Sequence, residues 1–419
     1  MVAYHFPPLA GSSGIQRTLR FVQQLPGFAW QALVLSAHPR AYERTSDDLA
    51  SAVPEGTVVR RAFALDTARH LAIGGRYVHA MARPDRWMNW KFAAVPEGMR
   101  MIREFKPELI WSTYPIATAH LIGAELARRS GIPWIADFRD PMAQVGYPAD
   151  PLTWQCFKEI EQRAMQHAAA NVFTTPGAAR MYRARYPDAA GRIAVIENGY
   201  DEESFAAVER GDRPRAALNP GCVTLLHSGI VYPSERDPTQ LFVALARLMA
   251  AGKIQPGQLK LRFRAAEHVD LLQRLAARHG VGQFIDICPP LGYQEALHEM
   301  LCSDALLLMQ GKGCNEQIPA KVYEYLRARR PILCLSDPGG DSVALLHRSG
   351  LNAMARLASA DEIEALLPAF VESVRNGTAA LPGAAAVRGA ARRERTQELA
   401  QLMDQLCPSA RPLARQVAR

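Results

Sequence analysis

Short apolar segments alternate with longer amphipathic segments along most of the chain. Brief apolar runs predict strands of a parallel sheet, because such strands are buried on both faces and have no polar side. The stretches between them carry apolar residues at the spacing of one helix face, which predicts helices. The alternation is typical of an α/β protein whose parallel sheets are covered by helices on both faces.

The alternation occurs in two halves, with a polar interruption between them. In the first half we predict strands at 31–35, 58–63, 109–112, 134–137, 171–174 and 192–196, and helices at 15–25, 95–105, 116–129 and 152–167. In the second half we predict strands at 223–227, 260–264, 283–287, 305–309 and 332–335. The interruption at 198–221 contains GDRP and LNPG, which are turn-forming sequences.

Two such halves predict two domains, and 419 residues is more than one hydrophobic core usually holds. We expect an α/β fold of two doubly wound, Rossmann-like domains facing a cleft, at residues 1–200 and 221–384. Residues 201–220 are expected to link them. A helix at about 385–410 is expected to pack back on the first domain.

The net charge of +8 and the pI near 9.2 favour an anionic partner, yet the chain lacks a basic run of the kind that follows a nucleic-acid backbone. No apolar run is long enough to span a membrane, and the first residues show no signal-peptide pattern, so we expect a cytoplasmic protein. The seven cysteines show no metal-ligand spacing. We therefore expect reduced thiols and no metal site.

Three loops follow predicted strands, where this architecture places its ligands. The first contains Gly11, Ser12, Ser13 and Gly14, and it could either bring backbone N–H groups close to a ligand or serve only as a turn. It lacks the G-x-G-x-x-G pattern, which argues against a nicotinamide enzyme. The strand before it is short, and we expect part of that strand to precede Met1.

The second loop, ADFRDP, has charged residues at the end of a predicted buried strand. Burying charges is costly unless they are paired, so these residues either contact a polar ligand or form an ion pair. Arg139 could pair with Asp137 or Asp140. The third loop follows the strand at 223–227, where Arg236 could bind phosphate oxygens with its planar fork of donors.

The segment NEQIPAKVYEYLRARRPIL combines a helix start with two glutamates. Proline fits the start of a helix, so we predict a helix at 320–329 that begins at or next to Pro319. The free N–H groups of its first turn and Lys321 would bind an anion, with Glu316 and Glu324 on either side. This arrangement suits a nucleotide diphosphate that carries two sugars. The alternative is a surface helix with solvated glutamates.

Taken in order, HFPPLAGSSGIQR, DFRDP, ENGYD, HSGIVYPSERDP, LGYQEALHEMLCSDALLLM and the E-x7-E segment followed by YLRARRPIL resemble a bacterial glycosyltransferase of family 4 with the GT-B fold. The resemblance extends over nearly the whole chain. It implies a retaining enzyme that takes a sugar from a nucleotide-diphosphate donor, with no cofactor and no obligatory metal ion. It leaves open whether retention proceeds by front-face attack or by double displacement.

The resemblance also implies a donor site. Glu316 would contact the transferred sugar, and Glu324 would hold the ribose hydroxyls. Arg236 and Lys321 would bind the diphosphate. The other expected donor contacts are Gly229 and Ile318.

The glycine-serine loop is expected to bind the acceptor. Its expected acceptor contacts are Gly11, Ser12, Ser13 and Gly14. Arg139 and Asp140 stand where many members have a His-Asp pair, and we expect them near the reacting carbon. The ENGYD segment, residues 197–201, resembles the hinge between the two domains of the family.

Residues 60–106 hold ten Lys or Arg against four Asp or Glu, interleaved with the aromatic residues Phe63, Tyr77, Trp87, Trp90 and Phe92. Basic residues with aromatics suit anionic lipid headgroups or a lipid-linked acceptor, which would place the protein at the inner face of the cytoplasmic membrane. The alternative is a solvated helix face with aromatics in the core. We expect a glycan or polyprenyl-linked acceptor, in cell-surface polysaccharide or lipopolysaccharide synthesis.

Two other functions fit a two-domain protein of this shape. A sugar-nucleotide epimerase or hydrolase would turn over the donor without an acceptor. A non-catalytic sugar-nucleotide-binding protein would bind the donor and leave it unchanged, although the intact E-x7-E segment argues against this.

Overall fold

The computed structural model describes residues 1–11 and 14–408. The chain forms two compact units: unit 1 consists of Met1–Glu197 and the chain from Arg393, and unit 2 consists of Asn198–Arg392. The boundary falls inside the ENGYD segment. Within the stretch expected to be a linker, Glu202–Arg210 forms a helix that buries Phe205 in the core of unit 2.

Unit 1 is built around a parallel sheet. Its strands are β1 (Val34–Ala37), β2 (Val59–Ala62), β3 (Ile110–Thr113), β4 (Trp134–Arg139), β5 (Ala170–Phe173) and β6 (Ile193–Val195). Strand β1 pairs with β2, and β3 to β6 pair in chain order. Val2 bridges Leu35 of β1 and Ser112 of β3, and this joins the two groups of strands into one layer.

The helices of unit 1 cover this sheet. They are α1 (Gly14–Gln24), α2 (Thr67–His70), α3 (Trp90–Phe105), α4 (Ala117–Ser130), α5 (Pro151–His167) and α6 (Pro176–Arg185). Both α5 and α6 begin with proline behind a capping side chain, because Asp150 accepts from the Thr153 amide and Thr175 accepts from the Ala178 amide.

Unit 2 has a second, fully parallel sheet. Its strands are β7 (Val223–Ser228), β8 (Leu259–Arg264), β9 (Ile285–Cys288), β10 (Ala305–Gln310), β11 (Ile332–Ser336) and β12 (Met354–Ala355), in the spatial order β12-β11-β10-β7-β8-β9. The chain runs outward from β7 to β9 and then returns to the other side of β7. The strand order therefore switches between β7 and β10, and such switch points are where sheets of this kind bind ligands.

Helices cover both faces of the unit 2 sheet. They are α7 (Glu202–Arg210), α8 (Thr239–Ala250), α9 (Val269–His279), α10 (Tyr293–Cys302), α11 (Ala320–Ala328), α12 (Asp341–Arg348), α13 (Ala360–Arg375) and α14 (Ala384–Gly389). One core contains α8, α9 and α13, and another contains α10, α11 and α12. The last helix, α15 (Arg392–Leu406), packs Leu399 and Met403 against Trp111 of unit 1.

The structure confirms two Rossmann-like domains of mixed α/β type with parallel sheets. It also corrects one helix boundary. The sequence predicts a helix at 95–105 before β3, but α3 begins at Trp90 and contains Pro96. Trp90 and Ala94 are completely buried. Their burial outweighs the backbone hydrogen bond that an internal proline removes.

Across the part of the chain that the structure describes, no helix has both the length and the apolar character needed to cross a bilayer. The seven cysteines are free thiols, as predicted.

Candidate active site

A cluster of basic side chains lies where the strand order of unit 2 switches. Gly229 follows β7 directly and has a φ of 112°, a conformation that side-chain-bearing residues rarely adopt. A Cβ atom at this position would lie 3.2 Å from Nζ of Lys321. Glycine at 229 therefore allows both the turn of the backbone and the close approach of the lysine.

Lys321 contacts a buried histidine. Its Nζ lies 3.3 Å from Nε2 of His227, and Nδ1 of the histidine lies 3.1 Å from the carbonyl oxygen of Leu307. A carbonyl can only accept, so Nδ1 carries the proton and Nε2 accepts a hydrogen bond from the lysine. Burial, together with the charge of Lys321, holds the pKa of His227 well below its usual 6.5. The histidine is therefore a neutral support for the lysine.

Lys321 and Arg236 are close enough to repel each other. Burial, and to a lesser extent the charge of Arg236, lowers the pKa of Lys321 from its usual 10.5 to about 7. The Arg236 guanidinium donates to the carbonyl of Ile230 at 2.8 Å and lies over the ring of Tyr232 at 5.1 Å. Within the described residues neither cation forms an ion pair, so an anionic ligand would be stabilised between them.

The first turn of α11 belongs to the same cluster, because it carries Lys321. Pro319 precedes the helix, and no side chain caps its N-terminus. Free N–H groups at a helix start bind phosphate well, and Lys321 is the second residue of the helix. The predicted helix start is confirmed, and it lies beside the two cations.

Glu324 lies on the same face of α11 as Lys321, because residues three apart on a helix are neighbours. The hydroxyl of Tyr293 donates to its carboxylate at 3.0 Å. The Glu324 side chain reaches solvent, but protein surrounds most of it, and this desolvation raises the pKa of the carboxyl, while the hydrogen bond from Tyr293 opposes the rise. The result is a carboxylate held in a recess.

The loop before α11 carries Glu316, which is half-buried. The side-chain amide of Gln310 donates to the carbonyls of Cys314 at 2.6 Å and Gln317 at 2.9 Å. The amide of Asn315 donates to Asp337 at 2.9 Å. These bonds hold the loop on both sides of Glu316.

Ile318 is buried in the core of unit 2 and anchors the same loop. Its side chain is therefore occupied by packing. The predicted donor contact at this residue stays a prediction and would involve the backbone.

In unit 1, Arg139 has a φ of 59° and is mostly buried. It donates to the hydroxyls of Thr113 at 2.8 Å and Thr18 at 3.3 Å, and to the carbonyl of Gly14 at 2.9 Å. Its Nε lies 3.8 Å from Asp137. The structure thus gives Arg139 a structural role, tying β4 to the start of α1, and its predicted catalytic role stays untested.

Asp137 has a stronger partner that the sequence did not reveal. Arg17 of α1 donates to both carboxylate oxygens, at 2.9 and 3.0 Å, and Asp137 is completely buried. Arg17 also donates to the carbonyl of Ile196. A buried carboxylate is costly unless it is paired, and Arg17 supplies that partner from a distant part of the sequence.

Asp140 is exposed at the end of β4, although partial desolvation raises the pKa of its carboxyl. His5 lies in the same region. Burial lowers the pKa of His5 to about 3, and the charge of Arg139 adds to this effect. His5 was missed at the sequence level, because the segment before it is too short to be recognised as a strand.

The predicted glycine-serine loop is only partly described. Gly11 is exposed and has a φ of 79°, and Gly14 begins α1. Ser12 and Ser13 lie outside the described residues. The predicted acceptor contacts in this loop therefore stay predictions.

Residues 43–204 match the family model described as Glycosyltransferase Family 4. No curated protein sequence matches the chain. Among solved structures, sucrose-phosphate synthase from Thermosynechococcus elongatus is similar, with a TM-score of 0.63, 12% identity and coverage of 97% of each chain.

Two further structures are similar to this chain. Anabaena HepE in complex with UDP-glucose has a TM-score of 0.60 at 13% identity, covering 96% of this chain and 98% of that one. The lipopolysaccharide outer core galactosyltransferase WaaB has a TM-score of 0.60 at 10% identity, with the same coverage. At these identities the likeness concerns the fold. Together, these comparisons show that residues 43–204 match the family 4 glycosyltransferase model and that the chain has the GT-B fold.

Proposed function

We propose that the enzyme is a retaining transferase that moves a sugar from a nucleotide-diphosphate donor to a glycan or lipid-linked acceptor. The observation that carries this proposal is the pair of unneutralised cations, Lys321 and Arg236, beside the start of α11. A diphosphate supplies the charge that this cluster lacks. HepE, which has the same fold, is described in complex with UDP-glucose.

The donor would extend along α11 in both directions from the diphosphate. Glu324 lies one helical turn beyond Lys321 and would accept hydrogen bonds from ribose hydroxyls. Glu316 lies before the helix and would contact the transferred sugar. This order follows the sequence of groups in a nucleotide sugar, in which the diphosphate lies between two sugars.

The reaction breaks the bond between the anomeric carbon and the phosphate oxygen, so negative charge grows on the leaving diphosphate. Donors fixed in advance around that charge lower the barrier more than they stabilise the ground state. We propose that Lys321, Arg236 and the α11 N–H groups supply this stabilisation without a cofactor or an obligatory metal ion. In unit 1, the exposed carboxylate of Asp140 is our candidate for the residue nearest the acceptor hydroxyl.

A donor screen tests the proposal directly. UDP, GDP and ADP sugars are added to the protein, and unfolding is followed by thermal shift, because a ligand that binds the folded state raises its stability. We expect one nucleotide series to raise Tm. Consumption of that donor should then require an acceptor. Absence of stabilisation by every nucleotide would contradict the proposal, and donor breakdown without an acceptor would indicate a hydrolase or epimerase.

Glu324→Ala is expected to weaken nucleotide diphosphate binding by roughly 1.5 to 3 kcal/mol, the contribution of hydrogen bonds to a charged group. Isothermal titration calorimetry with UDP, GDP or ADP measures the change. The matched control is Glu364→Ala, which removes a half-buried helix carboxylate of α13 in the same unit. Equal affinities in parent and Glu324→Ala would contradict a ribose contact at this position.

We propose that unit 1 binds a membrane surface, where a lipid-linked precursor of a cell-surface polysaccharide or lipopolysaccharide would be the acceptor. The predicted aromatics divide into two groups: Trp90 is completely buried and Trp87 donates to the carbonyl of Ala41, whereas Phe63 and Phe92 are exposed. The aromatics therefore support the proposal only in part.

A separate set of exposed apolar side chains supports it further. These exposed residues are Ile73, Val78, Met81, Val145, Tyr147 and Leu152. Arg83 and Asp150, whose side chains are 3.2 Å apart, connect the two segments that carry these residues. Exposed apolar side chains can enter a membrane interface, and the excess of basic residues in 60–106 suits anionic headgroups.

The protein is expected to co-sediment with vesicles that contain anionic lipid and to dissociate as salt screens the charges. Ile73→Ser combined with Met81→Ser should reduce the bound fraction at low salt, because apolar side chains no longer enter the interface. Leu381→Ser, which changes an exposed leucine of unit 2, is the control. Binding that is indifferent to lipid charge and salt would contradict the proposal.

A further inference from the structure

The hydroxyl of Tyr293 and the carboxylate of Glu324 connect two helices of unit 2. Tyr293 is the first residue of α10, Glu324 lies in the second turn of α11, and their oxygens are 3.0 Å apart. The tyrosine side chain is 41% exposed, so its ring contributes little to the core. This half-exposed side chain contacts the recessed carboxylate through the hydrogen bond from its hydroxyl.

The backbone before Tyr293 is held firmly. Arg264, at the end of β8, donates to both carboxylate oxygens of Glu299 at 2.8 and 2.5 Å and to the carbonyl of Pro289 at 2.6 Å. Both members of this ion pair are buried. The amide of Gly292 bonds to Glu295 at the start of α10. The phenol is therefore presented to Glu324 from a fixed support.

We propose that Tyr293 is a positioning residue for recognition of the ribose, an inference that rests on the proposed function. Its hydroxyl occupies Oε1 of Glu324, and this fixes the rotamer of the carboxylate and leaves its remaining acceptor positions for two adjacent hydroxyls. It also favours the ionised form of Glu324 against the desolvation that favours the neutral acid. Without Tyr293 the same glutamate would be mobile and more readily protonated.

The test compares each nucleotide diphosphate with its 2′-deoxy form. Whichever of UDP, GDP and ADP binds the parent most tightly is titrated calorimetrically, as is its 2′-deoxy counterpart. In Tyr293→Phe we expect the ribonucleotide affinity to fall roughly three- to thirtyfold, the effect of one lost hydrogen bond. The deoxy form should lose less, so that the preference for ribose shrinks. If the phenol had only a structural role, Tyr293→Phe would weaken the binding of both nucleotides equally.

A pH series provides a second readout. The ionised form of Glu324 accepts from ribose more strongly than the neutral acid, and removing the phenol raises the pKa of Glu324. The affinity of Tyr293→Phe should therefore decline at a higher pH on acidification than that of the parent. Tyr186→Phe is the matched control, because it removes a tyrosine hydroxyl that bonds to Glu161 in unit 1 at 2.6 Å. It should leave both affinities unchanged.

The outcomes separate this inference from the proposed function. If the parent prefers ribose and Tyr293→Phe keeps the same preference and the same pH profile, the inference about Tyr293 is wrong, and the donor site stands. If none of the three nucleotides binds the parent, the proposed function fails, and the inference fails with it.

Discussion

Replacing Glu316 by glutamine is expected to reduce the rate of sugar transfer by roughly tenfold to a thousandfold while nucleotide affinity stays nearly unchanged. The carboxylate lies in the loop before α11, whereas Glu324 lies within that helix. A contact that strengthens as the sugar gains positive charge lowers the barrier more than it improves ground-state binding. Glutamine keeps the size of the side chain and removes only its charge.

The measurement requires transfer rates and calorimetry on the same preparations. Arg236→Ala should contrast with Glu316→Gln by losing affinity as well as rate, because the diphosphate is charged before the reaction begins. Glu364→Gln serves as the control for changing a half-buried carboxylate elsewhere in unit 2. Transfer at the parent rate by Glu316→Gln would show that Glu316 is only a loop residue.

The regular elements around this site could be predicted because their signals are local. Pro319 and the arginines that follow Leu326 delimit a helix by short-range rules, and α11 begins and ends within a residue of the expected positions. The buried strand β11 follows from an equally local apolar run. Such features depend on residues that are close together in the sequence, so the sequence alone is enough to predict them.

The partners of the site residues could not be predicted in the same way. Tyr293 and Glu324 are 31 positions apart, and Lys321 and His227 are 94 positions apart. Their meeting depends on the order of strands in the sheet, which places loops from distant segments side by side. Sequence spacing shows which residues could bind a nucleotide, whereas tertiary structure decides how each is supported.

Arg139 illustrates the same limit in unit 1. At the sequence level it is equally compatible with ligand binding and with an ion pair to a neighbouring aspartate. The structure shows that Asp137 is paired with Arg17, 120 positions away, and that Arg139 donates to Thr113 and to the backbone of Gly14. An α1 residue was needed to decide the question, and nothing local points to it.

Nucleotide binding is expected to weaken as pH rises above 7 and to be accompanied by proton uptake at Lys321. In the nucleotide-free protein, burial holds the pKa of Lys321 at about 7. A bound diphosphate stabilises the ammonium and raises that pKa. Below pH 7 the lysine is already charged, so its titration no longer changes the affinity. Above pH 7 the affinity should fall by up to about tenfold per pH unit, until the pKa of the complex is reached.

Lys321→Met removes the titrating amine, so a comparison with the parent shows which part of the pH dependence comes from Lys321. The variant should bind nucleotide more weakly at pH 7 and lose the proton uptake, which is measured as the dependence of binding enthalpy on the ionisation enthalpy of the buffer. Its unliganded form should gain stability over the parent as pH falls from 10 to 7. The reason is that the folded-state pKa of Lys321 lies below the unfolded value, so charging the amine costs folding free energy across that range.

Lys253→Met, which changes an exposed lysine of unit 2, should alter neither the proton uptake nor the pH dependence of stability. If Lys321→Met retains the affinity of the parent at pH 7, the diphosphate does not contact this lysine. If affinity falls but the uptake of protons persists, another group titrates on binding. A stability gain that accompanies a loss of binding would show that the cation is kept in the recess for its ligand and not for the fold.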